Sequence, residues 1–162
     1  GEGPWLDPKT GLVSGALEGE AIKVLEKSGG NAAPQNMSGF KLGRWSGNAH
    51  LWWTGGKPND KLVLAVPVKS AGKYELFVGL GKAIDYGSVR IAVDNATPSE
   101  PLDLFNDGVV NTPPLSLGVH ELSAGEHRLT VMIVGANPKA IKNYMFGLDY
   151  VILVPQDTNP KR

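Results

Sequence analysis

Leu62-Val63-Leu64-Ala65-Val66-Pro67-Val68-Lys69-Ser70-Ala71-Gly72-Lys73-Tyr74-Glu75-Leu76-Phe77-Val78 is the stretch that decides the fold class. Leu62, Leu64, Val66 and Val68 fall at every second position, and after Ala71-Gly72 the residues Tyr74, Leu76 and Val78 do so again. A period of two puts alternate side chains on opposite faces of a strand, whereas a helix needs apolar residues three or four apart. The stretch therefore predicts two half-buried strands joined by a short turn. Downstream, Val89, Ile91 and Val93 alternate with Ser88, Arg90 and Asp94. Leu102 and Leu104, Leu115 to Leu122, then Leu129, Val131 and Ile133, and finally Leu148, Tyr150, Ile152 and Val154 continue the pattern. Upstream, Glu20 to Glu26 reads as a first strand, although Leu17, Ala21, Val24 and Leu25 would also tolerate a helix over 17–27.

The 21 Gly and 12 Pro among 162 residues cut the chain into segments of strand length. None is an amphipathic helix long enough to cover a sheet, so the apolar faces must pack sheet on sheet. The fold class is an all-β antiparallel β-sandwich. Ala71-Gly72 and Ala124-Gly125 both precede a strand, where Gly supplies the positive φ of a tight turn. Gly79-Leu80-Gly81 lacks the third glycine and the helix of a dinucleotide site and reads as a loop. Residues 1–15, with Trp5, Pro4 and Pro8, and residues 156–162 read as an arm and a tail around one domain at 16–155, neither carrying the core. The opening Gly1-Glu2-Gly3-Pro4 suits a domain excised between linkers.

Sixteen Lys plus Arg balance sixteen Asp plus Glu, so no net field draws the chain to nucleic acid or to an acidic membrane surface. No apolar run approaches the length of a membrane helix. With no cysteine, a disulfide framework, a thiol nucleophile and a Cys-ligated zinc are excluded. The three histidines, His50, His120 and His127, lie in no metal or nucleophile motif, and His120 and His127 read as surface residues beside the Ser123-Ala124-Gly125 turn. Carboxylate pairs such as Asp103 with Asp107 or Glu18 with Glu20 show no spacing that sets two acids across a cleft, as glycoside hydrolysis requires. The chain is therefore read as non-catalytic.

Leu17-Glu18-Gly19-Glu20-Ala21, Val66-Pro67-Val68, Ala71 to Leu76, Val93-Asp94-Asn95, Leu122 to Val131 and Gly147 to Leu153 follow one another at spacings that resemble galactose-binding-like jelly-roll sandwiches. The likeness is to carbohydrate-binding modules of families six and thirty-five, and to accessory domains of bacterial glycoside hydrolases. The resemblance implies a secreted, bacterial accessory domain that binds a polysaccharide, β-glucan or xylan-like, and works beside a catalytic domain in the same chain. It also implies a structural Ca2+ held by an acid of the first strand and the Asp of the last, positions matched by Glu18, Glu20 and Asp149. Without the resemblance, Glu18 and Glu20 read equally as solvated strand residues and Asp149 as a turn cap.

A sugar ring needs a flat aromatic surface beside fixed hydrogen-bonding groups. Trp45-Ser46-Gly47-Asn48-Ala49-His50-Leu51-Trp52-Trp53 offers both. Read as a strand, it sends Ala49, Leu51 and Trp53 to the core and leaves Asn48, His50 and Trp52 on the other face, with Trp45 in the loop before it. Lys82 to Gly87 and Asn137 to Tyr144 add polar and aromatic groups where strands end. In the resembling modules an Asn shortly precedes the last-strand Asp, and Asn143 stands near that place at a longer spacing. The candidate ligand residues are Trp45, His50, Trp52, Asp85, Tyr86, Asn143 and Tyr144, with Trp52 and Tyr86 as platforms. The rival reading is a structural β-sandwich that docks a catalytic neighbour through exposed aromatics such as Trp5, Trp45 or Phe105 and has no sugar site.

Overall fold

The computed structural model describes residues 6–40 and 44–156. Among these residues twelve strands form: β1 Leu17–Glu18, β2 Val24–Lys27, β3 Asn31–Asn36, β4 Ala49–Thr54, β5 Lys61–Val68, β6 Gly72–Lys82, β7 Ser88–Val93, β8 Leu102–Asp103, β9 Val110–Asn111, β10 Leu115–Leu122, β11 Gly125–Gly135 and β12 Phe146–Pro155. They build two antiparallel sheets, a sandwich as the alternating pattern predicts. One sheet runs β2-β5-β11-β7-β8; the other runs β10-β6-β12-β4-β3, with β1 on β12 and β9 on β6. Among the described residues no helix is long and apolar enough to cross a membrane.

The period-two residues meet across the strands. Leu129 pairs with Leu64 on one side and Val93 on the other, and Val131 with Leu62 and Ile91. Leu76, Val78, Leu80, Phe146 and Leu148 face them from the second sheet, all at most 1% exposed. Each fully buried Leu or Phe is worth about 1.5–3 kcal/mol relative to exposure, so this interface is the dominant source of stability. Leu51 and Trp53 enter the core as the face assignment requires.

Four local readings are corrected. The first strand is split: a 3-10 turn at Gly19–Ala21 separates β1 from β2, with the Ile22 N–H donating to the Gly19 carbonyl. Gly19 permits this because a Cβ there would lie 1.9 Å from the Leu148 carbonyl oxygen. Gly79-Leu80-Gly81 is not a loop but the interior of β6. Only Gly125, at φ 125°, has the positive φ expected of the two Ala-Gly turns; Gly72 starts β6 with no such need. The arm is docked rather than loose: Val13 is buried, its N–H donates to Ser46 Oγ, and the Gly47 N–H donates to the Gly11 carbonyl. Trp5 and 157–162 lie outside the described residues.

The seven-stranded sheet is covered over part of its second face as well. On its outer side Gly79, Gly81 and Gly147 carry no side chain, and rings occupy the space. A Cβ on Gly79 would lie 2.3 Å from the Tyr150 ring, one on Gly81 3.3 Å from the Tyr86 ring, and one on Gly147 2.5 Å from the His50 ring. Trp45 and Met37 complete this layer at 0% and 2% exposure. It explains why a chain with so many strand glycines still buries large aromatics.

Candidate functional site

Two places gather the candidate residues. The first is an acidic pocket in the outer layer. Asp149, on β12, is fully buried and receives the Ser46 N–H on Oδ1 at 3.0 Å and the Asn111 amide on Oδ2 at 3.4 Å. Glu18 accepts from Ser46 Oγ at 2.8 Å. Gly47, at φ 60°, roofs both glutamates: a Cβ there would lie 3.5 Å from Glu20 Oε2 and 3.6 Å from Glu18 Oε1. Burial pushes the Asp149 carboxyl up to about 8, outweighing its two N–H donors, and both glutamates add to the rise. Burial also raises Glu18 and Glu20, with Glu20 adding to the rise at Glu18.

No ion pair among the described residues neutralises these acids. Among those residues no three carboxylates or imidazoles converge into a preformed metal cage. The side chains nonetheless leave oxygens unused. Glu18 Oε1 and Glu20 Oε1 are buried without a hydrogen-bond partner, as are Trp45 Nε1, His50 Nδ1 and Tyr150 OH. Buried polar atoms are normally paired, so five orphans in one layer mark a region whose chemistry is incomplete with protein atoms alone. The two glutamate oxygens left unused, and the Asp149 carboxyl on the strand beside them, are hard oxygen donors of the kind Ca2+ takes, although they do not form a ready cage.

Trp45, His50 and Tyr86 belong to this layer and not to an exposed platform. They are 0%, 0% and 5% exposed, so the platform expected of Tyr86 and the ligand contact expected of Trp45 are corrected to packing roles. The same burial removes Trp45 from the docking reading. His50 shares the β4 outer face with Trp52 as expected but is sealed. Its Nε2 lies 2.6 Å from Gln35 Oε1, which makes Nε2 the protonated nitrogen and leaves the Nδ1 lone pair facing inward. Burial lowers its pKa to about 4, so the ring is neutral at physiological pH. Trp52 remains half-buried opposite Gly147 and Ala33.

The second place is a loop surface. Residues 83–87 and 137–145 are far apart in sequence and are stitched together by main-chain bonds. Ile141 N–H donates to the Ile84 carbonyl at 2.9 Å, Met145 N–H to Asp85 at 3.1 Å, and Gly87 N–H to Met145 at 3.0 Å. Lys142 stiffens the second loop by donating Nζ to the carbonyls of Asn137, Pro138 and Ala140. The surface presents Ile84, Ile141 and Asn143 exposed, with Asp85 and Tyr144 half-buried. Tyr144 adopts φ 53°, a left-handed conformation uncommon for a bulky residue and held here by the stitched backbone. The two segments singled out in the sequence therefore converge, carrying Asp85, Asn143 and Tyr144 together and leaving Trp52 on the flat of the sheet.

Sequence reasoning missed Ser46, Asn111, Gln35 and Tyr150 as members of the polar layer. Ser46 sat inside the Trp-rich segment; Asn111 reaches Asp149 across 38 positions, and nothing local announces it. His127 is also corrected. It is no surface residue but is clamped between Asp94 Oδ2 at 2.6 Å and the Ser123 carbonyl at 2.7 Å.

No protein-family model matches the chain, and no curated protein does. Solved structures do. A family 35 carbohydrate-binding module from Clostridium thermocellum superposes with TM-score 0.51 at 18% identity, over 86% of this chain and 97% of that one. The chain has the fold of a carbohydrate-binding module. A Paenibacillus xanthan lyase contains a similar sandwich with TM-score 0.72 at 18% identity, over 92% of this chain and 14% of the lyase. The Podospora anserina mannanase, which joins a family 26 glycoside hydrolase to a family 35 module, matches with TM-score 0.53 at 15% identity, over 90% of this chain and 28% of that one. The chain thus spans a small part of the large enzymes that share the carbohydrate-binding-module fold and nearly the whole of the free-standing module.

Proposed function

We infer that this domain is a non-catalytic carbohydrate-binding module whose saccharide site is the loop surface formed by 83–87 and 137–145. The convergence of Ile84, Asp85, Ile141, Asn143 and Tyr144 carries the reading. A rigid rim combining C–H surfaces, an aromatic ring, a carboxylate and an amide has the two elements sugar recognition needs. The fold shared with family 35 modules supports it. So does the presence of such sandwiches inside enzymes whose names specify polysaccharides, where a bound module raises the effective concentration of the attached catalytic domain on its substrate. On this reading the parent is a secreted bacterial enzyme acting on plant-type or microbial polysaccharide.

Glu18, Glu20 and Asp149 would hold a structural Ca2+, whose charge would neutralise the pocket and fix the Trp45–Asn48 turn above it. The chain's own groups do the rest: Ser46 and Asn111 orient Asp149, and Gly47 leaves room over the glutamates. Affinity electrophoresis of the wild type and of Asn143→Ala against β-glucans, xylans, xyloglucan and mannans tests the reading. Retardation by one glycan class that Asn143→Ala weakens supports it; no retardation across the panel favours a docking domain, which Ile84 and Ile141, exposed by 40% and 52%, would equally suit.

A further inference from the structure

Shortly after β11 the chain turns back on itself at Asn137-Pro138-Lys139-Ala140. Pro138 brings no N–H, and Asn137 supplies the bonds of the turn. Its Oδ1 accepts the Lys139 N–H at 2.9 Å, its carbonyl accepts the Ala140 N–H at 2.9 Å, and its amide donates to Asp103 Oδ2 at 2.7 Å. A strand sends successive carbonyls to opposite sides, whereas this turn gathers the carbonyls of Asn137, Pro138 and Ala140 around one point. Lys142 Nζ occupies that point, at 3.2, 3.0 and 3.1 Å from the three oxygens.

An ammonium has three N–H donors and no acceptor, and here all three are committed to main-chain carbonyls. Among the described residues Lys142 is in no salt bridge. It therefore has no donor left for a sugar hydroxyl, although it stands between Ile141 and Asn143 of the loop surface. Converging carbonyl dipoles repel one another and are the ligand set of a dehydrated monovalent cation, and the ammonium stands in that cation's place. The segment beyond it is pinned at short intervals. Ile141 N–H donates to Ile84, Asn143 N–H to the Ile141 carbonyl at 2.8 Å, and Met145 N–H to Asp85, with Tyr144 held at φ 53° between the last two. A left-handed φ on a bulky residue persists only where its surroundings over-determine it.

We propose that Lys142 is the positioning residue of the loop surface: its ammonium is the built-in cation that holds 137–140 closed and so presents Asn143 and Tyr144 in one pose. The consequence for affinity rests on the saccharide reading of this surface; the lock itself does not.

Amide hydrogen exchange on the full chain, in wild type, K142M, K142A and K139M, tests it. K142M keeps the stem and removes the donors. The Ala140, Ile141 and Met145 amides should then exchange about tenfold faster, while the Val131 amide, in a strand paired on both sides, and the Tm hold. K139M, which removes the exposed charge in the same turn, should change none of them. In K142A, methylammonium should restore slow exchange because it brings three N–H donors to the vacated carbonyls, and tetramethylammonium, with none, should not. Unchanged exchange in K142M, a rise that extends to Val131, or equal effects of the two cations would overturn the proposal. Affinity electrophoresis of K142M against the glycan that retards the wild type adds a second readout. Retardation about tenfold weaker at an unchanged Tm is expected, since only the closed loop is competent to bind. Loosened loops with undiminished retardation would refute the positioning role. Silence of the wild type across the panel refutes the saccharide reading instead, and the exchange result then decides the lock alone.

Discussion

Removing the charge of Asp149 should make the domain more stable at alkaline pH, which is the reverse of what the loss of a hydrogen-bonded carboxylate usually does. Burial holds this carboxyl at about 8 in the folded state against 3.8 in the unfolded chain. The folded state therefore binds the extra proton across that interval, so stability falls as pH rises through it. At 1.36 kcal/mol per pH unit, Asp149 alone accounts for an upper figure of about 4 kcal/mol lost between pH 5 and pH 8, or a Tm fall of about 10 °C for a domain of this size. Glu18 and Glu20, also raised by burial, act in the same direction. Asp149→Asn keeps the shape and stays neutral, so it isolates the Asp149 share from every other titrating group. Thermal melts in EDTA at pH 5 and pH 8 should show the wild type losing several degrees more than the variant. Added Ca2+ should restore the wild type at pH 8, where the ligands are ionised, and leave Asp149→Asn little changed. Equal pH slopes for the two proteins in EDTA would refute the burial argument. A matching slope difference with no Ca2+ response would keep the argument and remove the cation.

Three other outcomes follow from the packing. His127 faces an acceptor at each ring nitrogen, and the bond to Asp94 raises its pKa most, so its contribution is fully present below about 6.5 and is lost as pH rises through the higher folded value; Asp94, held low, loses its share as pH falls below about 3.8. His127→Gln should therefore flatten the denaturation midpoint between pH 6 and pH 8, and an unchanged profile would show that the clamp contributes nothing. Gly79→Ala should cost about 1–3 kcal/mol in urea unfolding, because the new methyl falls on the Tyr150 ring. Trp53→Ala should cost about 3–5 kcal/mol and Trp52→Ala about 1–2, since Trp53 is fully buried and Trp52 half-buried; similar values would contradict the face assignment.

The strands could be read because each sheet has a core-facing row at period two, and Leu62 to Val68 and Leu129 to Ile133 show it without interruption. Gly79 and Gly81 escaped that reading for the reason they matter. A strand glycine signals a turn when only local conformation is considered, yet these two vacate the outer face so that Tyr150 and Tyr86 can cover it. Trp45 and His50 were misplaced by the same assumption, that a sandwich buries one face of each sheet. Here the docked arm and residues 37–40 and 44–48 bury part of the second face of one sheet, and that depends on contacts such as Val13 with Ser46, 33 residues apart. The loop surface was half legible. Its two segments stood out by composition, but their meeting rests on Ile84–Ile141 and Asp85–Met145 bonds that no spacing encodes.

The most direct test of the central claim is an amide chemical-shift titration of the intact domain with the glycan class that retards it in electrophoresis. Shifts concentrated on Ile84, Asp85, Ile141, Asn143 and Tyr144, saturating together, are the predicted result. Shifts centred elsewhere, or none at a glycan concentration that retards the protein, would contradict the assignment of the saccharide site to these loops.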